Sequence, residues 1–151
     1  MVKRKSHKGD YCPSARSLDV IGDWWSLLIV RDAFDGLTRF SEFQRSLGIA
    51  KNILASRLRT LTERGILETV PAADSARQQY RLTRMGRDLF PVMVALRQFG
   101  ERHLFAPGEK HSHLVERDTG KAVRLDIRTE DGRPISPDEA VIVKVPETDE
   151  A

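Results

Sequence analysis

The sequence holds one cysteine, Cys12, in 151 residues, which excludes an internal disulfide and leaves no cysteine-rich metal site to build. It has no apolar run approaching the roughly 18 residues that span a bilayer. The opening MVKRKSHKGD is basic and lacks the apolar stretch of a signal peptide, so the chain is expected in the cytoplasm, with no membrane partner. Catalytic patterns are missing too: there is no glycine-rich phosphate loop, no nucleophile with a base at a recognisable spacing and no pair of carboxylates on a pocket-forming helix face. Neither an enzyme nor a cofactor is expected. His111 and His113 supply half a metal site at most, and histidines in a linker usually face solvent, so no metal is assigned.

What is present is an ordinary globular balance, with 40% hydrophobic and 31% charged residues, enough for one compact domain and a modest appendage. The net charge of +3 conceals an asymmetry. Residues 1–111 carry 19 Lys and Arg against 12 Asp and Glu, a balance of +7, whereas residues 112–151 carry 6 against 10, a balance of −4. The basic part is the candidate partner of a polyanion. Charge alone fits a solvated cationic face equally well, so position along the chain must decide.

Three segments are expected: a polar basic arm over 1–11, a domain over 12–111 and an acidic extension over 112–151. Pro13 and Ser14 open a first helix, since proline and a capping hydroxyl are both at home in a first turn. It runs to about Gly22, with Leu18 and Ile21 on its buried side. Residues 23–34 form a second helix, apolar almost all round as a central core helix must be. Trp24 and Trp25 are read as core rather than as a stacking surface for bases. Residues 38–48 read as a short helix with Phe40, Phe43 and Leu47 spaced by three and four, and Gly48 ends it. Only Ile49 and Ala50 precede KNILASRLRTLTERG, whose Leu54, Leu58 and Leu61 share one face. Two short helices joined by a tight turn containing glycine carry the helix-turn-helix signature.

Strands over 66–70 and 79–82, separated by the polar loop 71–76, read as a wing. A long helix over 83–104 carries Leu89, Val92, Met93, Leu96, Phe99, His103 and Leu104 on one broad stripe, and Pro91 is expected to kink or restart it. So wide a stripe on the last helix exceeds what a small domain can cover, which implies a second subunit. In the tail, 114–117, 121–128 and 140–145 read as a small β meander with turns at 118–120 and 130–134, and Ser136 opens a turn of helix at 137–139. The expected fold is mainly α with a small β wing: a winged helix-turn-helix plus a short C-terminal β meander.

The second helix of such a pair fits the major groove of duplex DNA, where its side chains meet base edges. Burial of Leu54, Leu58 and Leu61 turns Lys51, Asn52, Ala55, Ser56 and Arg59 outward, with Arg57 and Arg64 on the flanks. Asn pairs bidentately with adenine and Arg with guanine, and Lys51 at the helix start suits a phosphate. Arg77 and Gln78, at the edge of the wing, suit the minor groove or a neighbouring phosphate. Arg39, Ser41 and Arg45 are candidate phosphate clamps. The rival reading is a winged helix that binds protein or RNA; salt dependence separates the two, because neutralising several phosphates makes DNA affinity fall steeply with salt.

Over about residues 12–104 the chain resembles the HxlR family of winged helix-turn-helix regulators, relatives of the MarR type. The markers are Cys12-Pro13, Gly22-Asp23-Trp24-Trp25, Arg31-Asp32, Arg39-Phe40 with Phe43, the Leu58-Arg59-Leu61 and Gly65 series, and Tyr80-Leu82-Thr83-Gly86. The resemblance implies a homodimer built through the terminal helices, which adds Leu18 to the contact, on a pseudo-palindromic operator with one recognition helix per half-site. Many such regulators repress and some activate. Several relatives keep a cysteine where Cys12 stands that senses electrophiles or oxidants, implying a redox or small-molecule effector. A helix N-terminus with Lys8 and Arg16 nearby favours a thiolate; burial at the dimer contact is the commoner expectation for such a residue. The tail is similar to extensions of longer relatives whose two turns carry Cys-Gly knuckles, but here the turns read Thr119-Gly120 and Asp131-Gly132, without sulfur.

Overall fold

A computed structural model of the chain describes residues 5–74 and 76–146. They fall into two compact units, one reaching Met93 and the other starting at Val94.

The first unit opens with α1 (Pro13–Ile21), whose N-cap is Cys12 with Pro13 in the first turn. Proline belongs there because the first N–H of a helix has no partner to lose. Ser14 is therefore inside the helix and not its cap. Ile21 is buried whereas Leu18 is 54% exposed, so the expected inward turn of Leu18 is not observed; α1 buries a residue only near its C-terminal end. Asp23 caps α2 (Trp24–Phe34) by accepting from the Ser26 N–H at 2.9 Å. Trp25 packs on the core with Ile29, Val30 and Ala33, spaced as one helical face requires. Trp24, at the first helical position, is 76% exposed, which corrects its assignment to the core.

α3 (Phe40–Leu47) and α4 (Lys51–Glu63) follow, and Phe43, Ile49, Leu54, Leu58 and Leu61 close the core against α2. α4 ends in a Schellman arrangement: the Ile66 N–H reaches the Leu61 carbonyl at 2.9 Å, and the Gly65 N–H reaches that of Thr62 at 3.1 Å. Gly65 takes a φ of 79°, a left-handed conformation that glycine adopts without Cβ strain. Because the Ile66 N–H is spent on this closure, the wing starts one residue later than expected. β1 (Leu67–Pro71) pairs antiparallel with β2 (Gln78–Leu82), with Leu67 opposite Leu82 and Thr69 opposite Tyr80. An isolated two-stranded hairpin is marginal; here the Tyr80 N–H donates to the Thr38 carbonyl at 2.7 Å, and the Tyr80 ring meets Phe43 edge-on.

The long final helix is two pieces, α5 (Arg84–Arg87) and α6 (Phe90–His103). The expected interruption takes the form of a restart at Asp88 and Leu89, and Pro91 sits in the first turn of α6 where its missing N–H costs nothing. Thr83 fixes α5 to the wing: its hydroxyl accepts from the Gly86 N–H at 3.0 Å, and its own N–H reaches the Ile66 carbonyl at 3.1 Å. A Cβ at Gly86 would collide with that same carbonyl oxygen.

In the second unit Gln98 clamps the tail through both ends of its amide, donating to the Leu125 carbonyl at 3.1 Å and accepting from the Leu125 N–H at 2.6 Å. Arg97 donates to the Ser112 carbonyl at 2.8 Å. The turns stand where expected, with Gly120 and Gly132 at positive φ, and Ser136 precedes a 3-10 turn (Pro137–Glu139). The expected meander forms only in part. Among the described residues, pairing in the tail is limited to two narrow hairpins: Val115 faces Ala122, with the Glu116 N–H on the Lys121 carbonyl and the Val123 N–H on that of Leu114, and Arg128 faces Pro134, with the Thr129 N–H on the Arg133 carbonyl and the Ile135 N–H on that of Ile127. The segment 140–145 joins no ladder, leaving Val141, Ile142 and Val143 more than four-fifths exposed. A strand of such residues needs both a neighbour and a face to cover it, and these short turns supply neither.

Candidate nucleic-acid interface

The two helices of the reader are set by local chemistry. Glu42 accepts from the N–H groups of Thr38 and Arg39 at 2.8 and 2.9 Å, which starts α3. These two bonds, Thr38 first, hold its carboxyl below the ordinary 4.5. Arg39 has no acceptor to return, so only the glutamate half of a capping box forms. At the other end Gly48 takes a φ of 60°, and its N–H bonds the Gln44 carbonyl. Ile49 then drops into the core, and α4 leaves at Lys51. Ala50, the N-cap, offers no side-chain cap, so the opening N–H groups of α4 remain available to an anion.

On α4, Leu54, Leu58 and Leu61 are each 1% exposed or less, while Lys51, Asn52, Ser56 and Arg59 are exposed and Ala55 is half-buried. Arg64 is exposed at the helix end. Arg57 is placed differently: its Nε lies 3.3 Å from Asp23 Oδ1, which turns the guanidinium toward the cap of α2 and away from the outer face. Ile53 is 39% exposed and lies three residues before Ser56, on the edge of that face. Its apolar side chain gives no polar signal for base recognition, and helical spacing alone places it there.

Ser41 and Arg45 are exposed on α3, and Arg77 and Gln78 are exposed on the wing. Arg39, Phe40, Ser41, Ala72, Arg77, Gln78 and Gln79 line a cleft of about 90 Å³ between the start of α3 and the hairpin. Arg39 is engaged: its Nη2 donates to both carboxylate oxygens of Asp74, at 2.7 and 2.6 Å. The charge-assisted bonds to Arg39, with its positive charge behind them, hold the Asp74 carboxyl below its usual range, and Asp74 raises Arg39 in turn. No periodicity signals this link across 35 residues.

The apolar stripe from Leu89 to His103 divides. Leu89 and Met93, partly buried, pack against the core of the first unit. Val92, Leu96 and Phe99 are 38%, 47% and 58% exposed, and His103 is exposed beside the Phe99 ring. Cys12 is exposed in this chain, its N–H donating to Asp10 Oδ1 at 2.8 Å, so the expected burial is absent from the single subunit. Asp10, held ionised chiefly by that N–H, sets a negative charge close to Cys12 in sequence. The rings of His111 and His113 lie 4.8 Å apart; among the described residues no three metal-ligating side chains cluster. No described helix is long and apolar enough to cross a membrane.

Two short helices on a common core, the second offering a polar outer face, with an antiparallel hairpin beside them, define a winged helix-turn-helix transcriptional regulator. Within that class the chain belongs to the HxlR-like helix-turn-helix family, whose model matches residues 20–107. An HTH-type transcriptional regulator of Mycobacterium tuberculosis, MT3179, is 45% identical over 107 residues, 70% of this chain and 68% of its own. Among solved structures, the transcription factor PA1607 superimposes with a TM-score of 0.88 at 58% identity, over 92% of this chain and 99% of its own. The redox regulator HypR in its reduced form superimposes with a TM-score of 0.57 at 32% identity, over 62% of this chain and 94% of its own.

Proposed function

We propose that this regulator acts in the cytoplasm as a homodimer on a pseudo-palindromic operator in double-stranded DNA, each subunit laying α4 in the major groove of one half-site, and that it represses the genes it controls without catalytic activity of its own. The observation that carries this reading is the division of α4 into three leucines out of solvent and an outer face of Lys51, Asn52, Ser56 and Arg59. Asn52 and Arg59 carry the donor geometry for adenine and guanine edges, Lys51 suits a phosphate, and Ile53 offers apolar contact for a thymine methyl. Arg39, Ser41, Arg45, Arg77 and Gln78 serve the backbone, which fixes register and adds no sequence information. Selection of bound sequences from random duplexes by the purified protein tests it. Two half-sites about one helical turn apart, or a multiple of that, are expected. Recovery of no consensus, with affinity indifferent to salt, would favour a protein-binding or RNA-binding module.

Likeness to a redox regulator and the exposure of Cys12 at the start of α1 favour a second element: an oxidant or electrophile that modifies Cys12 and changes operator affinity. The rate of Cys12 alkylation against pH, and operator affinity before and after diamide, test it. Full modification with unchanged affinity removes the sensor.

A further inference from the structure

We propose that Asp74 is an internal competitor of the DNA backbone, a carboxylate seated on Arg39 where a phosphate of bound DNA sits. The proposal rests on the DNA-binding reading above and adds a residue that tempers it. Arg39 immediately precedes α3, on the wing side of the reader, and it shares its cleft with Ser41, Arg77 and Gln78, three other groups assigned to the backbone. A carboxylate and a phosphodiester present a guanidinium with the same object, a negatively charged group offering two acceptor oxygens. Nη2 of Arg39 is chelated by both Asp74 oxygens, so a phosphate entering the cleft meets an occupied donor and a like charge. It must displace Asp74, and the wing tip that carries Asp74 has to release the first helix of the reader as the duplex docks.

The size of the effect follows from exposure. Arg39 and Asp74 are 41% and 64% exposed at the side chain, and an exposed ion pair shifts an equilibrium by a factor of about five at most. Displacement is therefore easily driven by a duplex, and its penalty is modest. It is also the same on every sequence, because phosphates carry no base identity. Asp74 lowers binding to all DNA and leaves the preference for the operator untouched.

A double-mutant cycle on the full chain tests this. Anisotropy titrations of a random duplex and of the selected duplex would be run with the wild type, Asp74→Asn, Arg39→Ala and the double variant. Expected is a gain of about two- to fivefold for Asp74→Asn on both duplexes, a loss for Arg39→Ala, and no gain from Asp74→Asn when Arg39 is already alanine. An equal gain in the Arg39→Ala background would overturn the proposal, since Asp74 would then act by general repulsion of the duplex. So would a gain confined to the operator, or no gain at all. Those outcomes leave DNA binding standing; a wild type that binds neither duplex at low salt would remove the reading beneath it as well.

Discussion

Arg59 stands exposed five residues beyond the buried Leu54 and one beyond the buried Leu58, on a helix too short to carry more than two or three outward turns. Few side chains can therefore reach base edges, and each has a large share of the discrimination. Arg59→Ala is expected to weaken binding to the selected operator by about 1–3 kcal/mol and to relax one base position, measured by titrating single-base variants of the site. Equal loss on every duplex would assign Arg59 to a phosphate. Arg57, two residues away in the same basic run, is drawn aside by Asp23. Helical spacing alone puts both at the surface, and only the position of a residue 34 places earlier separates them. Trp24 and Trp25 teach the same lesson, adjacent and identical, with one on the core and the other in solvent because the cap at Asp23 fixes where α2 begins.

At the scale of elements, α2, α3, α4 and the wing were legible in the sequence because the apolar spacing is regular and a left-handed glycine, Gly36, Gly48 or Gly65, follows each of the three helices. What stayed illegible was long-range. The Tyr80 bond to Thr38 and the Arg39 pair with Asp74 join parts far apart in sequence, and the failure of 140–145 to join a ladder depends on neighbours that no pattern within the tail describes. The start of α3 gives a testable case. Glu42 is ionised below its ordinary 4.5 by the two N–H groups it caps, so its contribution to stability is present above that value and lost as pH falls through the lowered one. The wild type is expected to exceed Glu42→Gln in thermal stability near neutral pH, with the gap closing as pH falls below the ordinary carboxylate range. A gap constant with pH would show that the cap does not depend on the charge.

On the scale of the whole molecule, one subunit leaves Leu96 and Phe99 largely in water, and a second subunit is the occupant that the reading of paired half-sites requires. Leu96→Asp places a charge in that contact and is expected to give monomers by light scattering at a concentration where the wild type is dimeric; an unchanged mass would locate the interface elsewhere. The charge division along the chain, basic to residue 111 and acidic beyond it, accords with the proposed placement of the duplex on the winged helix-turn-helix rather than on the tail. Whether α4 lies in a major groove is read directly by purine-methylation interference on the selected duplex. Expected is interference at guanine N7, on the major-groove side, once in each half-site, with that signal lost in Arg59→Ala. Interference confined to adenine N3 in the minor groove, or an N7 pattern indifferent to Arg59, would contradict that placement.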